Sequence, residues 1–222
     1  MCDGFRIKNQ KDAEGNRFFM GKCRNYVYLL VLITCFCTTG CITTKQSLND
    51  NNPFPKDKFN KGVVAVLPVK SQTSLSTESL SPLKNEINKI LGVTLKEKLP
   101  GITIISSQRS SELLNDSDKL DLIDKLLVGY ENSGIYDKKI AGQLTTILNA
   151  DYLVIPKLKA EKQSMILASA FSSSLEVSFV AKSGGSPQWS GLGDMKRGGI
   201  FGAGNVSPVD AAQKLVELAF ED

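Results

Sequence analysis

No cysteine follows position 41. All five cysteines of the 222-residue chain, Cys2, Cys23, Cys35, Cys37 and Cys41, lie at or before it, so no disulfide can close anything downstream. Whatever folds beyond Cys41 must be held by apolar burial, and a domain of about 160 residues can bury an adequate core without covalent staples. The chain also has no histidine. That removes Ser-His-Asp and Cys-His catalysis and histidine-ligated zinc. The formal charge is +4, but six of the 27 Lys and Arg and three of the 23 Asp and Glu precede Cys41, leaving 21 against 20 and a net +1. A nearly neutral body offers no electrostatic case for nucleic acid.

The segment before Cys41 has the three parts of an export signal. Lys22 and Arg24 supply positive charge, Tyr26 to Cys37 form an apolar core, and Thr38-Thr39-Gly40 are small. The apolar run is shorter than the roughly 20 residues that cross a hydrocarbon core. Met20-Gly21 does not make a myristoylation site, because Asn25 stands where that motif has Ser or Thr. Thr38-Thr39-Gly40-Cys41 resembles the lipobox of bacterial lipoproteins, with Thr38 where the lipobox usually has Leu. The resemblance implies cleavage before Cys41, a diacylglyceryl group on its thiol and an N-acyl chain on its amine. No other cofactor is expected. Such a residue carries more acyl chain than the two signals that stable anchoring needs. Ile42, rather than Asp, follows the cysteine, which by the same resemblance implies the outer membrane. The expected organisation is a misassigned start or long n-region over 1–19, a signal peptide over 20–40, a lipidated flexible tether over 41–60 and one α/β domain over 61–222.

The tether reading rests on residues 42–60, rich in Thr, Ser, Asn, Asp, Pro and Lys with no apolar period. Val63 to Val69 is a continuous β-branched run, expected as a central strand buried on both faces and ended by Pro68. A polar loop, 71–80, follows. Ser81-Pro82 opens a helix whose stripe is Leu83, Ile87, Ile90, Leu91 and Leu95. Ile102 to Ile105 is a short strand. Ser107 or Ser110 caps a short helix through Leu114, Leu120 to Leu127 mark another, and Asp137 caps a third. Ala150 to Pro156 returns to strand. From Gln163 to Lys182 the alternation is β, with Glu176, Ser178 and Val180 expected on an exposed side. Ser183-Gly184-Gly185-Ser186 is a turn, Trp189 begins a partner strand, residues 191–205 are a glycine-rich loop, and Ser207-Pro208 opens a last helix. The expected fold is α/β: a mixed sheet with a late antiparallel hairpin and helices packed mainly on one side.

This order is similar to a group of periplasmic lipoproteins that includes the curli secretion-channel lipoprotein, the penicillin-binding-protein activator lipoprotein and the amino-terminal domain of TolB. The resemblance is carried by Val63-Val64-Ala65-Val66-Leu67-Pro68, by Asn149-Ala150-Asp151-Tyr152-Leu153-Val154, and by the hairpin from Phe179 to Trp189 with Lys182-Ser183-Gly184-Gly185 at its turn. Asn149 replaces the group's glycine and tolerates the same left-handed geometry. Residues 157–174 are Lys- and Ser-rich and hold at most one short strand pair, so the membrane-crossing hairpins of the curli channel are not expected.

Candidate chemistry is sparse. Gly198-Gly199-Ile200-Phe201-Gly202-Ala203-Gly204 is followed by Asn205-Val206, not the Lys-Ser/Thr of a P-loop. Ile200 and Phe201 are instead candidates for insertion into a partner or a lipid surface. Asp116, Asp118, Asp121 and Asp124 do not have EF-hand spacing. Glu161 and Glu176 are a candidate glycosidase pair, outweighed by a solvated-surface reading. Trp189 is expected to pack. The functional expectation is a non-enzymatic, lipid-anchored envelope accessory protein that assembles or activates a larger machine by protein contact. The alternative is a ring-forming subunit of a secretion or export assembly, and a homo-oligomer is left open.

Overall fold

The computed structural model describes residues 42–46, 53–59, 61–73, 77–164, 168–200 and 207–221. The chain divides into two units, Met1–Cys41 and Ile42–Asp222, and every described residue lies in the second. Seven strands make one mixed sheet: β1 (Ile42–Gln46), β2 (Val63–Val66), β3 (Lys70–Thr73), β4 (Thr103–Ile105), β5 (Tyr152–Ser164), β6 (Ala168–Ala181) and β7 (Trp189–Ile200). Their order is β1-β7-β6-β5-β2-β4, with β3 also paired to β5. β2 runs parallel to β4 and β5, and β3 runs parallel to β5. The β5–β6, β6–β7 and β1–β7 pairs are antiparallel.

β2 and β3 lie end to end along β5. Val66 pairs with Val154 and Lys70 with Lys157, so the chain through Leu67-Pro68-Val69 carries one residue more than β5 does. The extra residue sits where proline removes a ladder donor. Pro156 falls opposite this break. Val154 turns its carbonyl toward Leu67, and Pro156, two residues on, presents its nitrogen to the same side. β5 therefore continues through Pro156, where the sequence pattern suggested an end.

Five helices cover the sheet: α1 (Thr77–Lys98), α2 (Ser107–Asp116), α3 (Asp121–Ser133), α4 (Lys138–Ile147) and α5 (Pro208–Ala219). α1 starts one turn before the expected Ser81 cap, and Pro82 forgoes one hydrogen bond inside it. Of its expected stripe, Leu83, Ile87, Leu91 and Leu95 are buried and Ile90 is half-buried. Ser106, not Ser107 or Ser110, caps α2 by accepting from the Arg109 amide at 3.2 Å. Asp137 caps α4 as expected, accepting from the Lys139 and Ile140 amides at 2.8 and 2.9 Å.

The helices occupy both faces, a correction to packing mainly on one side. α1 and α5 close one core over Val64, Val66, Leu158, Leu175, Val177 and Phe179. α2, α3 and α4 close a second over Ala65, Leu67, Leu153, Ile155 and Val180. Ser178 and Val180 are both fully buried and thus leave the exposed side expected of them, because a second helical layer covers their face.

Residues 53–59 are not part of a free tether. Phe54 is 5% exposed and Phe59 is fully buried. Phe54 lies 4.9 Å from the Trp189 ring and 5.3 Å from the rings of Phe179 and Phe220. Phe59 stacks on Phe179 at 4.6 Å. Ile42–Gln46 also pairs as β1 with Gly193–Arg197.

Asn149 adopts a φ of +49° at the step from α4 into β5. Glycine takes that conformation freely, whereas a β-branched residue pays roughly 1–2 kcal/mol. Thermal melts of the full chain should show Asn149→Gly close to wild type and Asn149→Val lowered by a few degrees; equal melts would remove this role.

Candidate functional site

β5, β6 and β7 run on past the part of the sheet that α2 to α4 cover, and strand alternation sorts their side chains. The register aligns Lys157 with Glu176 and Leu192, Lys159 with Ser174 and Asp194, and Glu161 with Ser172 and Lys196. These nine residues share one face. The opposite face presents Leu158, Ala160, Ser173, Leu175 and Met195, all buried, most of them in the core beneath α1 and α5. On the first face Lys159, Glu161 and Lys196 are exposed, and Ser172, Ser174, Leu192 and Asp194 are half-buried. Among the described residues, no helix is packed over them.

A polar and aromatic cluster marks where the covered face ends. Lys157 Nζ lies 2.8 Å from Glu176 Oε2, with side-chain exposures of 11% and 26%. The same ammonium sits 4.0 Å from the centre of the Tyr130 ring. The Tyr130 hydroxyl donates to Glu176 Oε1 at 3.2 Å, and Ser178 donates to the same oxygen at 3.3 Å. Ser178 and Ser190 share a hydrogen bond of 3.0 Å. Tyr130 stacks on the buried Tyr136 at 4.1 Å. Each charge in the cluster therefore has a partner, as groups withdrawn from water require.

Burial first, and then the Glu176 carboxylate, push the Tyr130 phenol up to about 12. Tyr136 is also pushed up, mainly by burial. An unfolded tyrosine ionises near 10. The folded chain thus keeps a proton that the unfolded chain releases. The resulting stability is complete below about pH 10 and is lost as pH rises from about 10 to about 12. Ultraviolet titration of phenolate should show a late step near pH 12 that Tyr130→Phe removes. An unchanged alkaline titration in that variant would contradict the assignment.

The other candidates from the sequence disperse. The pairs of Glu161 and Glu176 lie four residues apart along β5 and β6, roughly 13 Å at strand rise. That exceeds the carboxylate separation of about 5–9.5 Å that glycoside hydrolysis uses. Asp121 binds Lys125 at 2.6 Å, which holds its carboxyl below the usual range, and Asp124 binds Lys70 at 2.7 Å. No three potential metal ligands converge among the described residues. Trp189 packs as expected, stacked 5.2 Å from Phe220.

The glycine-rich loop over 191–205 is corrected through residue 200, because Trp189–Ile200 is strand. The glycines here serve packing: a Cβ on Gly191 or Gly193 would overlap the carbonyl oxygen of Ala219 or Leu215 in α5. Ile200 ends β7 opposite Ala168. Phe201 and the lipobox residues Thr38, Thr39, Gly40 and Cys41 lie outside the described residues. The Lys- and Ser-rich stretch over 157–174, expected to hold at most one short strand pair, instead belongs to the long β5–β6 pairing that runs from Tyr152 opposite Ala181 to Ser164 opposite Ser169, and the open face follows from that length. The Thr-rich, β-branched Ile42-Thr43-Thr44 was a usable signal for β1. Among the described residues, no helix is long and apolar enough to cross a membrane.

No protein-family model matches the chain, and no curated protein matches it. Solved structures similar to it include lipoprotein GNA1162 from Neisseria meningitidis, at 14% identity and a TM-score of 0.40 over 71% of this chain and 94% of that one. The LpoB C-terminal domain from Salmonella enterica is similar at 20% identity and a TM-score of 0.34, over 60% of this chain and 81% of that one. The PelC dodecamer from Paraburkholderia phytofirmans is similar at 11% identity and a TM-score of 0.38, over 81% and 95%. The lipoprotein group that the sequence motifs resemble is thus represented among the similar structures.

Proposed function

We propose that this chain is a cell-envelope lipoprotein that works by binding another envelope protein, anchored to the outer membrane through acyl groups on Cys41 with its domain in the periplasm. Its role is accessory, in the assembly or activation of an envelope machine, and no catalytic step is assigned to it. The observation that carries this reading is the open face of β5, β6 and β7. Lys159, Glu161, Asp194 and Lys196 alternate in sign across a surface whose reverse side is fixed by a helical layer. Charges of both signs on a paired sheet backed by a helical layer suit a protein of complementary pattern more than a polyanion. The absence of histidine from the chain and the separation of Glu161 from Glu176 support the non-catalytic assignment.

The test is photocrosslinking in intact cells from probes at Ser174 and Leu192 of the full chain, with Gln213 on the outer side of α5 as control. A discrete adduct with one envelope protein from the sheet positions only is expected. Adducts with further copies of this chain would move the reading to the ring-forming alternative. No adduct from either sheet position would overturn the surface assignment.

A further inference from the structure

The parallel part of the sheet has a switch point. From β2 the chain passes through α1 on one face to reach β4, and from β4 it passes through α2, α3 and α4 on the other face to reach β5. The carboxyl ends of β2 and β4 therefore open between helices on opposite faces, where open α/β sheets commonly bind ligands. A groove of about 880 Å³ lies there, between α1, the link from β2 to β3 and the first turn of α2.

The groove is basic. Lys70, Lys84, Lys89 and Lys96 line it, and no Asp or Glu does. Lys70 is paired with Asp124; the other three make no ion pair among the described residues. The positive end of α2 faces the same space. Ser106 already satisfies the Arg109 amide through its side chain and the Ser110 amide through its carbonyl. The first-turn amides of Ser107 and Gln108 have no protein acceptor among the described residues. Ser107 is the second, independent sign of a ligand. It is only 9% exposed, it lines the groove, and its hydroxyl makes no hydrogen bond to a described residue. Its carbonyl alone is engaged, accepting from Ser111 at 2.9 Å. Its hydroxyl opens onto the groove and is left to donate there.

We propose that this groove is a binding site for an organic phosphate. The phosphoryl oxygens take the Ser107 hydroxyl and the free amides of the α2 first turn, and the lysines of α1 neutralise the charge. Three donors and three lysines without an ion-pair partner among the described residues, lining one groove, suit a multiply acceptor-bearing anion. The groove is far larger than a phosphate ion, and Val93, Ile104 and Leu120 give its walls apolar surface for the rest of the ligand. The site is independent of the open sheet face and does not rest on the protein-binding reading.

Isothermal titration of the full chain in detergent would use inorganic phosphate, glycerol 3-phosphate and dihexanoyl phosphatidylglycerol as probes. Saturable binding of a phosphate ester is expected. The Lys89→Glu/Lys96→Glu double variant should weaken it roughly tenfold or more, and Ser107→Ala several-fold, as expected when a charge-assisted contact or a donor is removed. All three substitutions are at helix positions outside the two cores, so unchanged thermal melts accompany the loss. Preference for glycerol 3-phosphate identifies a soluble ester as the source, and preference for the short-chain lipid identifies a headgroup; either supports the site. Absence of saturable binding by all three probes, or binding indifferent to these substitutions, overturns it.

Discussion

Gly193→Ala is expected to lower the thermal midpoint of the full chain by roughly 10 °C. A single methyl at this position would run into the Leu215 carbonyl and meet the Ala219 amide at 3.1 Å. Both obstacles are backbone of α5, so no rotamer change relieves the overlap. α5 must lift away from β7, or β7 must sink toward the opposite core. Overpacking of this kind costs about 1–3 kcal/mol and sometimes more, and each kcal/mol shifts a domain of this size by roughly 2–4 °C. Gly129→Ala is the internal control. It lies within α3 with nothing within 4 Å of an added methyl, and there alanine should stabilise by about 1 kcal/mol through helix propensity. Opposite signs for the two substitutions would establish that the glycines of β7 serve helix packing. A neutral Gly193→Ala would return this segment to the loop first read from its composition.

Phe54→Ala is expected to destabilise by about 3–5 kcal/mol, the range for emptying a buried aromatic site. The ring contacts Phe59, Phe179, Trp189 and Phe220, four aromatic neighbours that cannot all collapse into the space left. A residue in a free tether would change stability by less than about 0.5 kcal/mol. Denaturant unfolding of the full chain followed by Trp189 fluorescence separates these two values, and the fluorophore is itself one of the neighbours lost.

Much of the central architecture was legible because it follows local rules. Val63 to Val66 reads as a strand covered on both sides, and the two cores cover it on both sides. The stripe of α1, the Asp137 cap and the left-handed Asn149 each depend on residues within a turn of one another. What escaped depends on distant partners. Phe54 and Phe59 sit in a polar stretch with no period, and Tyr152, Phe179, Trp189 and Phe220, remote in sequence, give them a place. Gly191 and Gly193 look like loop residues until α5 is laid across them. The covered side of Val180 cannot be known before α3 and α4 are placed. The open face shares this character: Lys157 and Glu176 become a pair only through the register of β5 against β6. The basic groove likewise needs α1, α2 and the ends of β2 and β4 brought to one point.

The most direct measurement is intact mass together with metabolic palmitate labelling of the expressed chain beside Cys41→Ala. A mature species beginning at residue 41, heavier than its polypeptide by acyl groups and labelled only in the wild type, is the predicted result. An unlabelled, uncleaved chain of 24.1 kDa would contradict the lipid anchor and with it the envelope assignment.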